Sequence, residues 1–133
     1  MARGKHLTVD CRNVPDQTVL DDKKMVETMA MAATKAGANV INTNRYHFGY
    51  DSPPGFTCVV LLDESHITAH AYYHLEEDGK EPINLLAMDC FTCGSTSPMD
   101  VLKYIQEEID LGDIKIVEMD RFLWIFGDKF FLK

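Results

Sequence analysis

The chain opens on strict alternation. Residues 6–11 place Leu7, Val9 and Cys11 on one side and His6, Thr8 and Asp10 on the other, the period of a half-buried strand. Residues 13–16, with Pro15 among them, have turn chemistry. The period then changes. Over residues 20–36, Met25, Met29, Ala32, Ala33 and Ala36 keep helical spacing. Asp21 and Asp22 near the start and Lys35 near the end suit the helix dipole, and Gly37 fits a C-terminal cap. The methionines of this stripe read as core filling. Strands are predicted over residues 38–48, 56–62, 67–74, 85–92 and 114–119. A loop rich in Pro and Gly falls at 51–55, a corner at 63–66 and a charged turn at 76–82. Ser97 as N-cap and Pro98 at the first helical position open a second helix over residues 99–109, with Leu102 and Ile105 on one face. Strand, helix, strands, helix, strand predicts an α+β two-layer sandwich: a largely antiparallel sheet with two helices on one face.

Composition narrows the function classes. The 133 residues suffice for one core, so a single domain spanning 1–133 is expected. Thirteen basic against twenty-one acidic residues give a net charge of −8, with no basic stripe, which argues against a nucleic-acid partner. No apolar run approaches the ~20 residues of a membrane span and no signal-peptide core is visible, so a soluble, cytoplasmic protein without a membrane partner is expected. Cys11, Cys58, Cys90 and Cys93 read as reduced thiols in that setting. Cys90 and Cys93 form a lone Cys-x-x-Cys without the second pair that a structural zinc site wants. The terminal segment, residues 122–133, is unusually aromatic and reads as an extension that packs on the domain or covers a partner subunit.

Three places carry candidate chemistry: Glu64-Ser65-His66 with His70 and His74 beyond it, Asp89 to Gly94, and Arg45-Tyr46-His47-Phe48. The three histidines repeat every four residues, a metal-ligand spacing on a helix. Their neighbours favour a strand, where these positions share a face but stand too far apart for one ion, so no metal is expected. The Gly-x-Ser-x-Gly elbow of a serine hydrolase is absent. A Cys93–His70 pair stays open on composition, as does the plain reading of Ser65 and His66 as turn residues.

Taken together the motifs are more specific. Gly4-Lys5-His6-Leu7, then Val59 through His70 with its Glu64-Ser65-His66, then Asp89-Cys90-Phe91-Thr92-Cys93-Gly94 with Ser97-Pro98, resemble the short bacterial and archaeal form of S-adenosylmethionine decarboxylase, in order from about residue 4 to about residue 121. The resemblance implies a self-processing decarboxylase of polyamine synthesis, acting on a small-molecule amine as a homodimer of processed protomers with each site near the subunit interface. It implies that the Ser65 hydroxyl attacks the Glu64 carbonyl and that β-elimination breaks the chain into residues 1–64 and 65–133. Hydrolysis then leaves a pyruvoyl group at residue 65 and releases ammonia. That ketone forms a Schiff base with the substrate amine and acts as the electron sink. The resemblance gives His70 the proton-acceptor role in self-processing, Thr57 the place of a processing serine, and Cys93 the role of general acid towards the product carbon. Phe48 matches an aromatic that stacks on adenine, and Phe48, Glu64 and His74 fall at substrate-binding positions. His74 departs from the family pattern, standing where a glutamate holds the ribose hydroxyls. Arginine or ornithine is therefore the alternative substrate, with Glu76, Glu77, Asp78 or Glu81 as acidic partners. A non-catalytic binding subunit is the third reading.

Overall fold

The computed structural model describes residues 4–49 and 53–122. The terminal aromatic extension beyond Phe122 lies outside the described residues, as does part of the predicted 51–55 loop. Six strands form one sheet: β1 (Lys5–Arg12), β2 (Val40–Phe48), β3 (Gly55–Leu62), β4 (His66–Leu75), β5 (Ile83–Thr92) and β6 (Asp113–Asp120). Their order is β2-β3-β4-β5-β1-β6, and every neighbouring pair is antiparallel. Alternation decides the faces. Leu7, Val9 and Cys11 of β1, Phe56, Cys58, Val60 and Leu62 of β3, and Ile67, Ala69 and Ala71 of β4 are all buried on one side. The helices cover that side: α2 (Asp22–Lys35) lies against β2 and β3, and α3 (Pro98–Glu108) against β1 and β5 and against α2. The α2 stripe of Met25, Met29, Ala32 and Ala33 is fully buried, as are Leu102 and Ile105 of α3 to within 2%.

The helix ends show which capping chemistry operates. Asp21 caps α2, its carboxylate accepting from the Lys24 N–H at 2.9 Å. At the other end Gly37 takes the left-handed φ of 98° that the cap needs, while the Ala38 N–H reaches the Ala33 carbonyl at 2.9 Å. Ser97 does precede α3 with Pro98 at its start, but its side chain makes no capping bond; its carbonyl receives the Asp100 and Val101 N–H groups instead. The expected turn at 13–16 runs into a third helix, α1 (Asp16–Val19), so three helices rather than two are found among the described residues. Leu20 belongs to the end of α1 and not to α2. Tertiary contacts hold this single turn. The Thr18 hydroxyl donates to the Asp110 carbonyl at 2.9 Å, and the Asn84 side-chain amide donates to the Val14 carbonyl at 2.8 Å and to Asp16 Oδ1 at 2.7 Å.

Among the described residues, no helix lies over the opposite face of the sheet. Tyr46, Leu61, Tyr72, Val117 and Met119 stand exposed there, beside the half-buried His66, His70, Asp89 and Phe91. Stability should therefore reside on the helix side. Among the described residues Phe56 is the largest fully buried side chain, and Phe56→Ala is expected to cost about 3–5 kcal/mol in urea unfolding. A loss below about 1 kcal/mol would show that the packed face is not where the fold is held.

Candidate active site

The β3–β4 hairpin sets the geometry. Its turn is closed by the Leu62 N–H donating to the Ser65 carbonyl at 2.9 Å, which leaves Glu64 and Ser65 at the tip. In the next pairing His66 stands opposite Phe91, so the residues just before β4 meet those just after β5. The result is a cleft of about 250 Å³ that Glu64, Ser65 and Cys93 line together, with Asn39, Gly94 and Thr96. Gly94 has φ of 80°, and the position of a Cβ there would lie 3.5 Å from Glu64 Oε2. A glycine at this point satisfies the backbone. The buried Thr92 hydroxyl donates to the Thr96 carbonyl at 2.8 Å and fixes the loop that carries Cys93.

The Cys-x-x-Cys pair splits across the sheet. Cys90 faces the helix side and is buried, whereas Cys93 is half-buried at the cleft. Burial first, and the Asp89 charge second, push the Cys90 thiol up to about 12. Cys11 and Cys58 are likewise raised to about 12, by burial and then by Asp10 and Asp22 respectively. These three thiols stay protonated and inert near neutral pH.

Thr57 and His70 also come together, though elsewhere. They are cross-strand partners on the uncovered face, with Thr57 Oγ1 and His70 Nδ1 hydrogen-bonded at 3.0 Å. His70 does not reach Ser65 in the same chain. Five residues of extended strand separate them, about 16 Å. The extended backbone that puts His66 and His70 on one face also carries His70 away from the tip, so Ser65 and Cys93 share the cleft and His70 stands apart from them. A second hollow, of about 440 Å³, lies over Thr57 and is lined by Asn42, Asn44, Tyr46, Val59 and Leu61 among others.

Phe48 and His74 lie at that far end. The Phe48 ring packs over Gly55, whose Cβ position would be 2.5 Å from it, and meets Tyr72 at 6.2 Å between centroids. His74 leaves the face altogether. The pairing shifts between Tyr72 and Leu75, and His74 takes a φ of 45°. Its backbone N–H donates to Asn84 Oδ1 at 2.9 Å, its ring stacks on Tyr73 at 3.9 Å, and Nε2 lies 3.7 Å from Asp16 Oδ1. Glu76, Glu77, Asp78 and Glu81 sit exposed in the β4–β5 connection. Among the described residues, no set of three His, Cys, Asp or Glu side chains is placed to hold a metal ion.

Motif reading missed one cluster. His6, Asp89, Phe91 and Arg121 converge on the uncovered face, with His6 Nε2 on the Asp89 carboxylate and the Arg121 guanidinium donating to His6 Nδ1 at 2.8 Å. His6, Asp89 and Phe91 lie inside the motifs named above, and Arg121 does not. His6 and Arg121 are 115 residues apart, and no local pattern links them.

Known proteins share this sequence and architecture. The profile of the S-adenosylmethionine decarboxylase family matches residues 5–122. A Methanococcus maripaludis protein named S-adenosylmethionine decarboxylase proenzyme is 38% identical over 126 residues, covering 88% of this chain and 93% of its own. A Bacillus cereus protein named S-adenosylmethionine decarboxylase proenzyme 2 is 35% identical over 120 residues, covering 89% of this chain and 88% of its own. The crystal structure of the adenosylmethionine decarboxylase from Aquifex aeolicus superposes with a TM-score of 0.66 at 25% identity over 90% of each chain.

Thiol reactivity checks the placement of the cysteines. Iodoacetamide at mildly alkaline pH should label the native chain once, at Cys93, and label all four cysteines in denaturant. Comparable native labelling of Cys11, Cys58 or Cys90 would contradict the assigned faces.

Proposed function

The chain belongs to the S-adenosylmethionine decarboxylase family, and on that premise we propose that it is a self-processing, pyruvoyl-dependent decarboxylase of S-adenosylmethionine serving polyamine synthesis. The observation that carries this reading is the gathering of Glu64, Ser65 and Cys93 at one cleft, with a hydrogen-bonded Thr57–His70 pair displayed on the uncovered face of the same sheet. The tip of a hairpin suits a serine that must reach its own preceding carbonyl. The Ser65 hydroxyl adds to the Glu64 carbonyl, the Glu64–Ser65 amide becomes an ester, and loss of the Ser65 α-proton breaks the chain into residues 1–64 and 65–133. Hydrolysis of the dehydroalanine left at residue 65 releases ammonia and would leave a pyruvoyl group lining the cleft with Glu64 and Cys93, where it would supply an electron sink for the carbon that loses CO₂. Cys93 is the acid that returns a proton to the product carbon, and its half-buried position gives it access to the cleft. Glu64 is an acceptor for the cationic substrate, exposed at the cleft.

The proposed working unit is a homodimer. Three observations support it: His70 stands about 16 Å along the strand from Ser65, the face carrying His70 exposes Tyr46, Leu61, Val117 and Met119, and the cleft of about 250 Å³ falls short of the ~300–1,000 Å³ of small-molecule sites. Two copies meeting by their uncovered faces give each Ser65 cleft a Thr57–His70 pair, with Phe48, from the other chain. His70, its ring oriented by Thr57, then takes the Ser65 α-proton during processing.

One observation favours a second substrate reading. His74, at the ribose-binding position, has its ring against Tyr73 and Asp16 and offers no bidentate acceptor. Arginine or ornithine on the same scaffold is the alternative, separated by measuring CO₂ from each candidate amine.

Denaturing intact mass tests the proposal. Wild type should give two chains divided after Glu64, the second beginning with a blocked residue 65. Ser65→Ala should stay one chain, and its cleavage would overturn the mechanism. His70→Ala should slow self-cleavage by roughly 10² or more. Cys93→Ala should still cleave, with turnover down by about 10²; unchanged turnover would remove Cys93 from the reaction. An uncleaved wild type releasing no CO₂ from any of the three substrates would leave the non-catalytic binding subunit.

A further inference from the structure

We propose that Phe91 is a positioning residue, clamped by His6, Asp89 and Arg121, that fixes the Ser65 turn and Cys93 relative to each other. The inference rests on the reaction proposed above, and its test is separable from it. Phe91 lies on the uncovered face at the centre of a cross-strand row. His66, the residue after Ser65, is its partner on β4, and His6 is its partner on β1. The ring centroids lie 5.9 Å and 5.6 Å away respectively, both tilted. The Arg121 guanidinium lies over the Phe91 ring at 5.2 Å from its centroid. On a further side the ring abuts the Gly4 backbone, where a Cβ would come within 2.7 Å of Phe91 Cε1. Phe91 is thus held by β1, β4 and the residue that follows β6. Cys93 is only two residues further along its own chain.

The groups around the ring are themselves fixed. An arginine side chain only donates, so His6 Nδ1, at 2.8 Å from Arg121, is an acceptor. In the neutral ring the proton therefore sits on Nε2 and points to the Asp89 carboxylate. One imidazole bridges a cation and an anion, and neither charge is left unpaired. The Arg121 backbone N–H donates to the Gly4 carbonyl at 2.8 Å, which closes the ring of contacts from the other side.

Ordering three long or ionised side chains on a half-exposed face costs conformational entropy that simple apolar cross-strand pairs would not. What the arrangement provides is a defined place for one ring between the two strands that carry the reactive groups. Reactions of this kind need such groups held to about 0.5 Å, and small misplacements cost large factors in rate.

The test uses Phe91→Leu, which keeps apolar bulk and loses the ring, and Arg121→Met, which keeps the stem and loses the clamp. Each is made in the otherwise wild-type chain, to follow self-cleavage, and in Ser65→Ala, to follow iodoacetamide labelling of Cys93 without any processing. Both variants should melt in a single transition, cleave at least about tenfold more slowly, and alter the Cys93 labelling rate several-fold. Arg121→Lys, which restores a cationic donor to His6, should recover most of both rates. Parent-like cleavage and labelling in folded Phe91→Leu and Arg121→Met would overturn the proposal. So would changes that Arg121→Lys fails to rescue, since they would mark a merely structural role. If Phe91→Leu does not fold, Arg121→Met and its rescue decide. If the wild type itself does not cleave, the self-processing reading fails while the labelling arm still tests the clamp.

Discussion

The rest of the structure turns on the stiffness of the β3–β4 hairpin. Its turn fixes Ser65 at one end, and its register fixes Thr57 opposite His70 partway along. An extended backbone has no slack to fold His70 back onto a serine about 16 Å away. Glu64, Ser65 and Cys93 thus gather at one cleft, and the Thr57–His70 pair stands apart from them on the same chain.

The two faces of the sheet divide the labour. The helix side contains the apolar interior, with Phe56, Met25, Met29 and Ile105 fully buried and Cys11, Cys58 and Cys90 held among them as inert thiols. The uncovered side carries Thr57, His66, His70, Asp89 and the clamp around Phe91. Because alternate residues of each strand serve different faces, packing on one side leaves composition on the other free to serve reaction and association. That freedom explains how a face can present exposed Leu61, Val117 and Met119 beside an Arg–His–Asp chain without loss of the fold. The proposed second copy would cover those apolar groups and join the separated residues in one step.

Much of this was legible in the chain. Alternation located β1 and β6, apolar and strand-favouring runs located the other four strands, and the Met25–Met29–Ala32–Ala33 stripe located the main helix, because burial against a single core imposes such patterns directly. The chain-ordered motifs around Ser65 and Cys93 identified the cleft residues. What escaped depended on contacts distant in sequence. Helix α1 follows Pro15 in what reads as a turn, and is held by Asn84 and by the Asp110 carbonyl, 68 to 92 residues away. The shift after Tyr72 that takes His74 off the face has no local marker, since its positive φ is supported by Asn84 from the next strand. The distance between Ser65 and His70 follows from the strand itself, at about 3.3 Å per residue. His6 and Arg121 sit near the two ends of the described chain, and only the placing of β1 between β5 and β6 brings them together.

The central claim is that Ser65 of one chain is processed with His70 of another. Co-expression of differently tagged Ser65→Ala and His70→Ala chains, followed by isolation of the mixed pair and intact mass, tests it directly. The His70→Ala chain retains Ser65 and gains an intact His70 from its partner. It should therefore be cleaved after Glu64 in the mixed pair, although it stays essentially intact when expressed alone. A verified mixed pair in which that chain remains whole, or a His70→Ala chain that cleaves at the wild-type rate by itself, would contradict the claim.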